Sequence, residues 1–252
     1  MTPEVGESLE GRWALVTGAA RRIGAVIVEA LHEAGAGVVI HYFNSAESAE
    51  ALADRLNGRR AGSALTVQCD LRETTGLDRV LSQVIDRSSR LDVLVNNASS
   101  FYPTPPGSIT ARQWDDLIGT NLKAPLFLSQ AALPHLRKTG GTIINIVDVH
   151  WQRPLKNHPV YGAAKAGLAM LTRSLAKDLG PDIRVNGISP GAILWPEEGL
   201  PERTRESIIR QIPLKRPGEP RDIAAAVLFL VRDAPYVNGQ ILAVDGGRSV
   251  GW

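Results

Sequence analysis

The sequence predicts a single α/β domain with a doubly wound, seven-stranded parallel sheet. Short apolar runs alternate with longer helical patterns along the 252-residue chain. Several runs are continuously apolar, which is typical of parallel strands buried on both faces. The repeated β-α-β order implies right-handed crossovers. Since no internal repeat or linker-like change in composition divides the chain, one Rossmann-type domain is expected over residues 1–252.

Seven strands and six helices are predicted. The strand candidates are Trp13–Val16, Gly37–His41, Ala64–Gln68, Leu91–Val95, Thr142–Val147, Arg184–Ile188 and Gln240–Val244. The helical patterns are about Arg22–Ala34, Ala46–Arg59, Thr74–Ser88, Ala111–Thr139, Tyr161–Gly180 and Asp222–Arg232. In the third helix, the apolar residues recur at the spacing that buries one helical face.

Two segments interrupt this alternation and are predicted to be substrate loops. Residues 99–108 are too rich in proline for a helix or a central strand. Residues 190–218 are typical of a loop with a short helix. Both follow strands, and ligands of open α/β sheets bind beyond the carboxyl ends of strands. A plain surface loop is the alternative for the first segment, and a static loop instead of a mobile flap for the second.

Composition and charge argue against several classes of function. A formal net charge of +2 with scattered basic residues gives no support to a nucleic-acid or membrane surface. Cys69 is the single cysteine, so no intrachain disulfide or cysteine-zinc cluster is expected, and no metal site is predicted. A buried thiol at a strand end is expected instead. No segment has the roughly 18 apolar residues of a membrane span, and a cytoplasmic location is expected.

A glycine-rich turn, Thr17–Gly24, follows the first strand and opens the first helix. There, backbone N–H groups and a helix N-terminus can receive a pyrophosphate. The motif is an incomplete G-x-G-x-x-G and is weak without this context. Arg22 stands where glycine is usual, and its guanidinium is expected to contact an anion. A surface cation is the alternative.

The ends of the next strands favour a dinucleotide, and NADP in particular. His41–Ser45 contains no acid, whereas NAD sites commonly place one there to bind the ribose 2′-hydroxyl. Asn44 and Ser45 are available donors, although His41 could be a structural core histidine. Asp70 can accept from an adenine amino group, and the small residues of Asn97–Ser99 suit close approach of a nucleotide. Ordinary turn chemistry is the alternative for both segments.

Tyr161 and Lys165 form the predicted catalytic pair. Four residues apart on a helix, they share one face. A neighbouring ammonium favours the phenolate of a group that otherwise titrates near about 10, which gives a proton donor usable near neutral pH. Asp148 is an unexpected carboxyl group in the same region. It suggests a substrate with ring nitrogens and amino groups.

The order of these motifs resembles that of the short-chain dehydrogenase/reductase family. The matching positions span nearly the whole chain: Thr17–Gly24, Asp70, Asn96–Ala98, Asn121, Tyr161, Lys165, Pro190–Gly191 and Asp245–Gly247. The resemblance implies that Tyr161 donates a proton and that Lys165 lowers its pKa and holds the nicotinamide ribose. It also implies that Asn121 anchors a water and proton relay. Asp148 replaces the family's usual serine.

Within that family, the chain is similar to the pteridine reductases. The matching features are Ala19–Gly24, His41-Tyr42 with Ser45, Asn97–Pro105 and Val147-Asp148. The resemblance implies that Phe101 stacks on a pterin and that Arg22 serves both the cofactor phosphates and the substrate. Asn44 stands where related sequences often have a basic residue, which puts one 2′-phosphate contact in doubt.

These inferences give three overlapping sets of site residues. Catalytic roles are expected for Asn121, Asp148, Tyr161 and Lys165. Cofactor contacts are expected from Gly18, Arg21, Arg22, Ile23, Gly24, His41, Tyr42, Asn44, Ser45, Asp70, Leu71, Asn97, Ala98, Ser99, Tyr161, Lys165, Pro190, Gly191 and Ile193. Substrate contacts are expected from Arg22, Ser99, Phe101, Asp148, Tyr161 and Trp195.

The predicted function is NADPH-dependent reduction of a dihydropterin to a tetrahydropterin, with oxidised pterins and dihydrofolate as further substrates to test. The alternatives are an NADPH-dependent reductase of another carbonyl or imine and a non-catalytic dinucleotide-binding regulator. Tyr161, Lys165 and Asn121 argue against the regulator, which needs none of them. The family resemblance implies a homotetramer with an interface formed by the helices at Ala111–Thr139 and Tyr161–Gly180. The sequence does not fix which pterin or folate is the physiological substrate.

Overall fold

A computed structural model describes residues 6–195 and 199–250 and shows a seven-stranded, all-parallel sheet flanked by helices. The strand order is β3-β2-β1-β4-β5-β6-β7. The strands are β1 (Trp13–Val16), β2 (Gly37–Tyr42), β3 (Ala64–Gln68), β4 (Val93–Asn96), β5 (Thr142–Ile146), β6 (Arg184–Pro190) and β7 (Ile241–Val244). The predicted Rossmann-type α/β fold is confirmed.

The helices of the described residues connect these strands. They are α1 (Arg22–Glu33), α2 (Ala46–Arg59), α3 (Leu77–Ser88), α4 (Ala111–Ile118), α5 (Ala124–Thr139), α6 (Pro159–Leu179), α7 (Glu202–Gln211) and α8 (Pro220–Leu228). Short 3₁₀ turns form at Thr74–Gly76 and Val149–Trp151, and π-helical turns at Gly119–Lys123 and Phe229–Asp233. Of the described helices, none is both long and apolar enough to cross a membrane.

The two faces of the sheet bury separate apolar clusters. Ala14 and Val16 of β1 belong to one cluster, while Leu15 between them belongs to the other. This division follows from the geometry of a strand, in which successive side chains point to opposite faces. The first cluster includes Ile27 of α1, and the second includes Leu128 of α5. Burial on both faces explains why the strand sequences are continuously apolar.

Two sequence-based expectations need correction. The single helix predicted over Ala111–Thr139 is wrong at Gly119–Lys123, where a π-helical turn separates α4 from α5. Apolar periodicity over a long segment does not reveal one wider turn, and such turns frequently occur at functional sites. Cys69 lies just past β3 as expected, but it is only partly buried. Burial still raises the pKa of its thiol to about 11.

Candidate active site

A cleft of about 610 Å³ lies at the carboxyl ends of β1 to β4. Most predicted cofactor residues line it: Gly18, Arg21, Arg22, Ile23, Gly24, His41, Tyr42, Asn44, Ser45, Asp70, Leu71, Asn97, Ala98 and Ser99. The described lining also contains residues that the sequence did not single out, namely Ala20, Phe43, Cys69, Arg72, Ser100, Asp116 and Thr120. It does not include Tyr161, Lys165, Pro190, Gly191 or Ile193.

Two positions of the glycine-rich turn, Gly18 and Gly24, pack too closely against their neighbours to carry a side chain. Gly18 has a φ of 59°, and a Cβ there would lie 2.9 Å from the Cα of Ala98. A Cβ on Gly24 would lie 2.5 Å from the Gly18 carbonyl oxygen and 2.6 Å from Nδ2 of Asn97. Glycine at both positions therefore lets the turn close against the end of β4 and opens the N-terminus of α1 toward an anion.

The His41 side chain connects the glycine-rich turn to the end of β3. Its buried ring accepts a hydrogen bond from the Gly18 N–H at Nδ1 (3.1 Å), and Nε2 lies 3.1 Å from the carbonyl oxygen of Cys69. A carbonyl can only accept, so the ring is neutral and carries its proton on Nε2. Burial lowers the pKa of His41 to about 4. His41 thus lines the cleft and also has the structural role that was its alternative.

Arg22 links the glycine-rich turn to the loop after β6. Its φ of 56° is left-handed, a conformation that costs a non-glycine residue about 1–2 kcal/mol and explains why glycine is usual there. Its Nη2 donates to the carbonyl oxygen of Trp195 (3.3 Å). The Arg205 guanidinium of α7 lies 5.4 Å from the Trp195 ring centre. The structure thus brings two predicted substrate residues, Arg22 and Trp195, into contact.

After Pro190, which ends β6, the segment to residue 218 contains loop and one helix, α7, and its residues 196–198 lie outside the described part. Its start is anchored at the end of β6. The Gly191 N–H donates to the carbonyl oxygen of Val244 (3.0 Å), and a Cβ on Gly191 would lie 2.7 Å from Asp245. Asp245 in turn accepts from the N–H groups of Gly247 and Ser249. The carboxyl ends of β6 and β7 therefore bring two motifs into contact, Pro190-Gly191 and Asp245–Gly247.

Asp70 and Leu71 occupy the predicted position after β3. The Asp70 carboxylate binds Arg72, whose Nε (3.0 Å) and Nη2 (2.6 Å) both donate to it. This pairing is the main cause that holds the pKa of Asp70 below its usual range. The sequence-based reasoning missed Arg72, although its position two residues after a strand-end carboxylate was a usable signal.

The Tyr161 hydroxyl donates to Oδ2 of Asp148 at 2.9 Å. The other carboxylate oxygen, Oδ1, accepts from the backbone N–H of His150 (2.9 Å), with the His150 ring nitrogen 4.0 Å away. The structure therefore brings the unexpected carboxyl group into direct contact with the predicted proton donor. His150 is a further neighbour of this pair that the sequence did not single out.

The pKa of Tyr161 is raised in the structure, not lowered as the family resemblance implied. The fully buried Lys165 donates from Nζ to the carbonyl oxygen of Ile146 (2.9 Å), and burial lowers its pKa to about 8. Burial, followed by the charge of Asp148, raises the pKa of Tyr161 well above its ordinary value. Asp148 adds to the effect of burial because its carboxylate accepts from the Tyr161 hydroxyl, while the Lys165 ammonium lies 5.7 Å from the centre of the Tyr161 ring.

The first predicted substrate loop is attached to Asn121 in the π-helical turn. Asn121 is fully buried, and its Oδ1 accepts from the Ser99 hydroxyl (2.6 Å). Its Nδ2 donates to the carbonyl oxygens of Ser100 and Leu117, each at 2.9 Å. The Asn121 side chain thus fixes the start of the loop.

Phe101 projects from this loop beside the proton donor. Its ring centre lies 4.8 Å from that of His158, nearly parallel at 14°, and 4.8 Å from that of Tyr161, edge-on at 78°. The Phe101 residue remains 52% exposed. His158, directly before α6, thus stacks against the Phe101 ring. The sequence-based reasoning had assigned His158 no role.

Comparison with known proteins identifies the family of the chain. Residues 18–249 match the family described as "Enoyl-(Acyl carrier protein) reductase". The chain is 40% identical to "Pteridine reductase 1" of Leishmania tarentolae, covering 94% of this chain and 96% of that protein. It is 37% identical to "3-oxoacyl-[acyl-carrier-protein] reductase FabG" of Staphylococcus aureus (93% and 96%). It is 31% identical to "Glucose 1-dehydrogenase 2" of Bacillus subtilis (97% and 97%). The chain belongs to the short-chain dehydrogenase/reductase family and is an NAD(P)-dependent oxidoreductase.

Proposed function

We propose that this chain uses NADPH to reduce a pterin, taking a dihydropterin to a tetrahydropterin. The observation that carries the proposal is the 2.9 Å hydrogen bond between Tyr161 and Asp148. A carboxylate accepts hydrogen bonds, and a pterin offers ring N–H and amino donors to it. A simple ketone offers only acceptor lone pairs, which a carboxylate repels. The similarity to the Leishmania tarentolae pteridine reductase supports this reading of the site.

The cleft fits a dinucleotide. Its glycine-rich turn, which has no room for a Cβ at Gly18 or Gly24, would hold the phosphates against the N-terminus of α1. Asp70 and Leu71 would hold the adenine, and Lys165 the nicotinamide ribose. The bound nicotinamide would supply the hydride.

NADP is the form of the cofactor that we propose. The sequence after β2, Phe43-Asn44-Ser45, carries no acid that would repel a 2′-phosphate. Asn44 and Ser45 line the cleft, as do the cationic residues Arg21 and Arg22. These donors would hold the 2′-phosphate without the basic residue that is often found at position 44.

Asp148, Tyr161 and Lys165 would supply the proton to the substrate nitrogen. With its pKa raised, the Tyr161 phenol is protonated at neutral pH, so the pair carries a proton for transfer. The pair holds one proton, on Tyr161, which would reach the substrate nitrogen either directly from Tyr161 or through Asp148 as Tyr161 gives its proton to the carboxylate. The buried Lys165 ammonium offsets the negative charge left on the pair.

Phe101 would form the stacking surface for the substrate. His158 covers part of its ring and Tyr161 meets its edge, so the orientation of the ring is set before the substrate binds. A flat heterocycle is the substrate shape that gains most from an aromatic face of this kind. Arg22, Ser99 and Trp195 would contact its periphery.

The second candidate function is the NADPH-dependent reduction of another carbonyl or imine substrate. The nearly equal identity to the Staphylococcus aureus reductase, which is named for a 3-oxoacyl substrate, favours it. Tyr161, Lys165 and Asn121 would serve that chemistry as well, but a simple ketone would offer Asp148 no hydrogen-bond donor.

One assay separates these functions: NADPH absorbance is followed with biopterin, dihydrobiopterin and dihydrofolate, and in parallel with acetoacetyl thioester and simple ketones. We expect oxidation with dihydrobiopterin, and slower oxidation when NADH replaces NADPH. Oxidation with the carbonyl compounds alone would favour the second candidate. Silence with every compound would favour a dinucleotide-binding regulator.

We also propose the homotetramer that the family resemblance implies. Its interface would include α5 and α6, where Phe127 and Met170 are 36% and 60% exposed. Light scattering of the purified chain would give the mass of the assembly.

A further inference from the structure

We propose that Arg72 is a positioning residue that couples the adenine end of the cofactor cleft to the substrate loop at residues 99–108. This inference rests on the proposed function, which places adenine at Asp70 and the substrate at Phe101. Arg72 itself belongs to none of the family motifs in this sequence.

The first step of the coupling is the ion pair between Arg72 and Asp70. Both carboxylate oxygens receive hydrogen bonds from the guanidinium, and Oδ1 also accepts from the Arg72 backbone N–H (3.0 Å). A forked pair of this kind fixes orientation as well as distance. Arg72 therefore determines where the Asp70 carboxylate lies when adenine arrives.

The second step leads from Arg72 to α4. Its Nη1 donates to Oδ1 of Asp116 (2.7 Å), and Oδ2 of Asp116 accepts from the Tyr102 hydroxyl (3.0 Å). Tyr102 directly follows Phe101, the ring that we expect to stack on the substrate. Three consecutive hydrogen-bonded contacts thus run from Asp70 to the substrate loop.

The guanidinium is held in this position by two carboxylates and an aromatic ring. Its Nε, Nη1 and Nη2 all donate to carboxylates, and Phe43 covers it with a ring centre 5.7 Å away. Since two carboxylates share one cation, an anionic ligand at Arg72 would compete with both. A direct role in binding the 2′-phosphate is therefore the weaker interpretation.

Removing Arg72 would leave Asp70 and Asp116 without their shared cation. The Arg72 side chain is 41% exposed, so solvent screens much of the resulting repulsion. The main consequence is positional: the carboxylates and Tyr102 lose their common anchor. Binding at one end of the cleft would then no longer restrain the other end.

The test measures amide hydrogen exchange of residues 99–108 with and without 2′,5′-ADP, which carries the adenine half of the cofactor and lacks the nicotinamide half. In the wild-type chain, saturating 2′,5′-ADP should slow exchange in this loop by about fivefold, a typical coupling between sites. Arg72→Met and Tyr102→Phe should each abolish that effect. Tyr102→Phe removes one hydroxyl and leaves Asp70 and Arg72 in place, so it keeps the test decisive if Arg72→Met folds poorly.

Arg90→Met is the matched control. Arg90 likewise donates two hydrogen bonds to the carboxylate of Asp92, from Nε (2.9 Å) and Nη2 (2.6 Å). Neither residue lines the described cleft. This variant should keep the wild-type protection of the loop. The proposal is overturned if 2′,5′-ADP still slows exchange in the loop of both Arg72→Met and Tyr102→Phe. It is also overturned if bound 2′,5′-ADP does not slow exchange in the loop of the wild-type chain. Pterin turnover plays no part in this readout, so a failure of the proposed reduction remains distinguishable.

Discussion

The nucleotide end of the site, at the glycine-rich turn, is shaped by backbone and by a neutral histidine, whereas the reacting end, outside the cleft lining, is shaped by ionisable side chains. At the nucleotide end, Gly18 and Gly24 pack against the end of β4, and His41 fixes the turn without carrying charge. At the reacting end, Asp148, Tyr161 and Lys165 are close together, and burial shifts the pKa of both Tyr161 and Lys165.

This difference predicts that substitutions at the two ends change different measurements. At the nucleotide end, a change of shape should alter NADPH affinity or folding, because tight packing is what that end provides. At the reacting end, loss of one polar atom should alter kcat, because the proton is needed in the transition state and not for binding. The variants below test that separation, from the largest expected effect to the smallest.

Tyr161→Phe should lower kcat by roughly 10³-fold, because it removes a positioned proton donor. The Kd of NADPH should stay within about twofold of the wild-type value, since this hydroxyl contributes to the reaction more than to binding. Turnover assays and a fluorescence titration of NADPH measure the two quantities. Tyr236→Phe, at a fully exposed position, is the matched control and should change neither. A comparable loss in both quantities would contradict the separation.

His41 should make folding stability depend on pH between about 6.5 and about 4. The pKa of His41 is lowered from 6.5 to about 4 in the folded chain, so the unfolded chain binds more protons in this window. Stability should therefore fall as the pH falls through the window, by about 3 kcal/mol in total. Urea unfolding at several pH values measures this slope. In His41→Asn the side chain does not titrate, so the part of the pH dependence that comes from His41 should disappear. If the free energy of unfolding of the two proteins depended on pH in the same way, the prediction would be refuted.

Gly24→Ala should weaken NADPH binding by about tenfold, which corresponds to the lower part of the range for overpacking. The added Cβ would press on the Gly18 carbonyl and on Asn97 and so displace the phosphate-binding turn. Gly58→Ala is the matched control, because a Cβ at that helical position meets no described atom within 4 Å. Wild-type affinity in Gly24→Ala would show that the turn tolerates a side chain.

The fold and the nucleotide end were largely predictable from the sequence, because their signals are local. Continuous apolar runs marked the strands, and the glycine-rich turn and Asp70 were apparent from their positions at strand ends. The π-helical turn at Gly119–Lys123 was not predicted, since the apolar spacing of a long segment does not resolve the hydrogen-bond pattern of a single turn.

Much of the reacting end depends on contacts between residues far apart in the sequence. The stacking of Phe101 on His158 and the bond from Arg22 to Trp195 appear only when separate loops meet. The pKa of Tyr161 shows the same limit. The four-residue spacing places Lys165 beside Tyr161, but it does not reveal the burial and the bond to Asp148, which together raise the pKa of Tyr161 and do not lower it as expected.

The measurement that tests the central claim most directly is the substrate preference of Asp148→Ser, which restores the family's usual residue. We expect kcat/KM with dihydrobiopterin to fall by roughly 10³-fold. NADPH affinity and turnover of a simple ketone should not fall. Asp182→Ser, on an exposed side chain that pairs with Arg137, is the matched control. An unchanged kcat/KM with dihydrobiopterin in Asp148→Ser would contradict the claim that Asp148 selects a heterocycle.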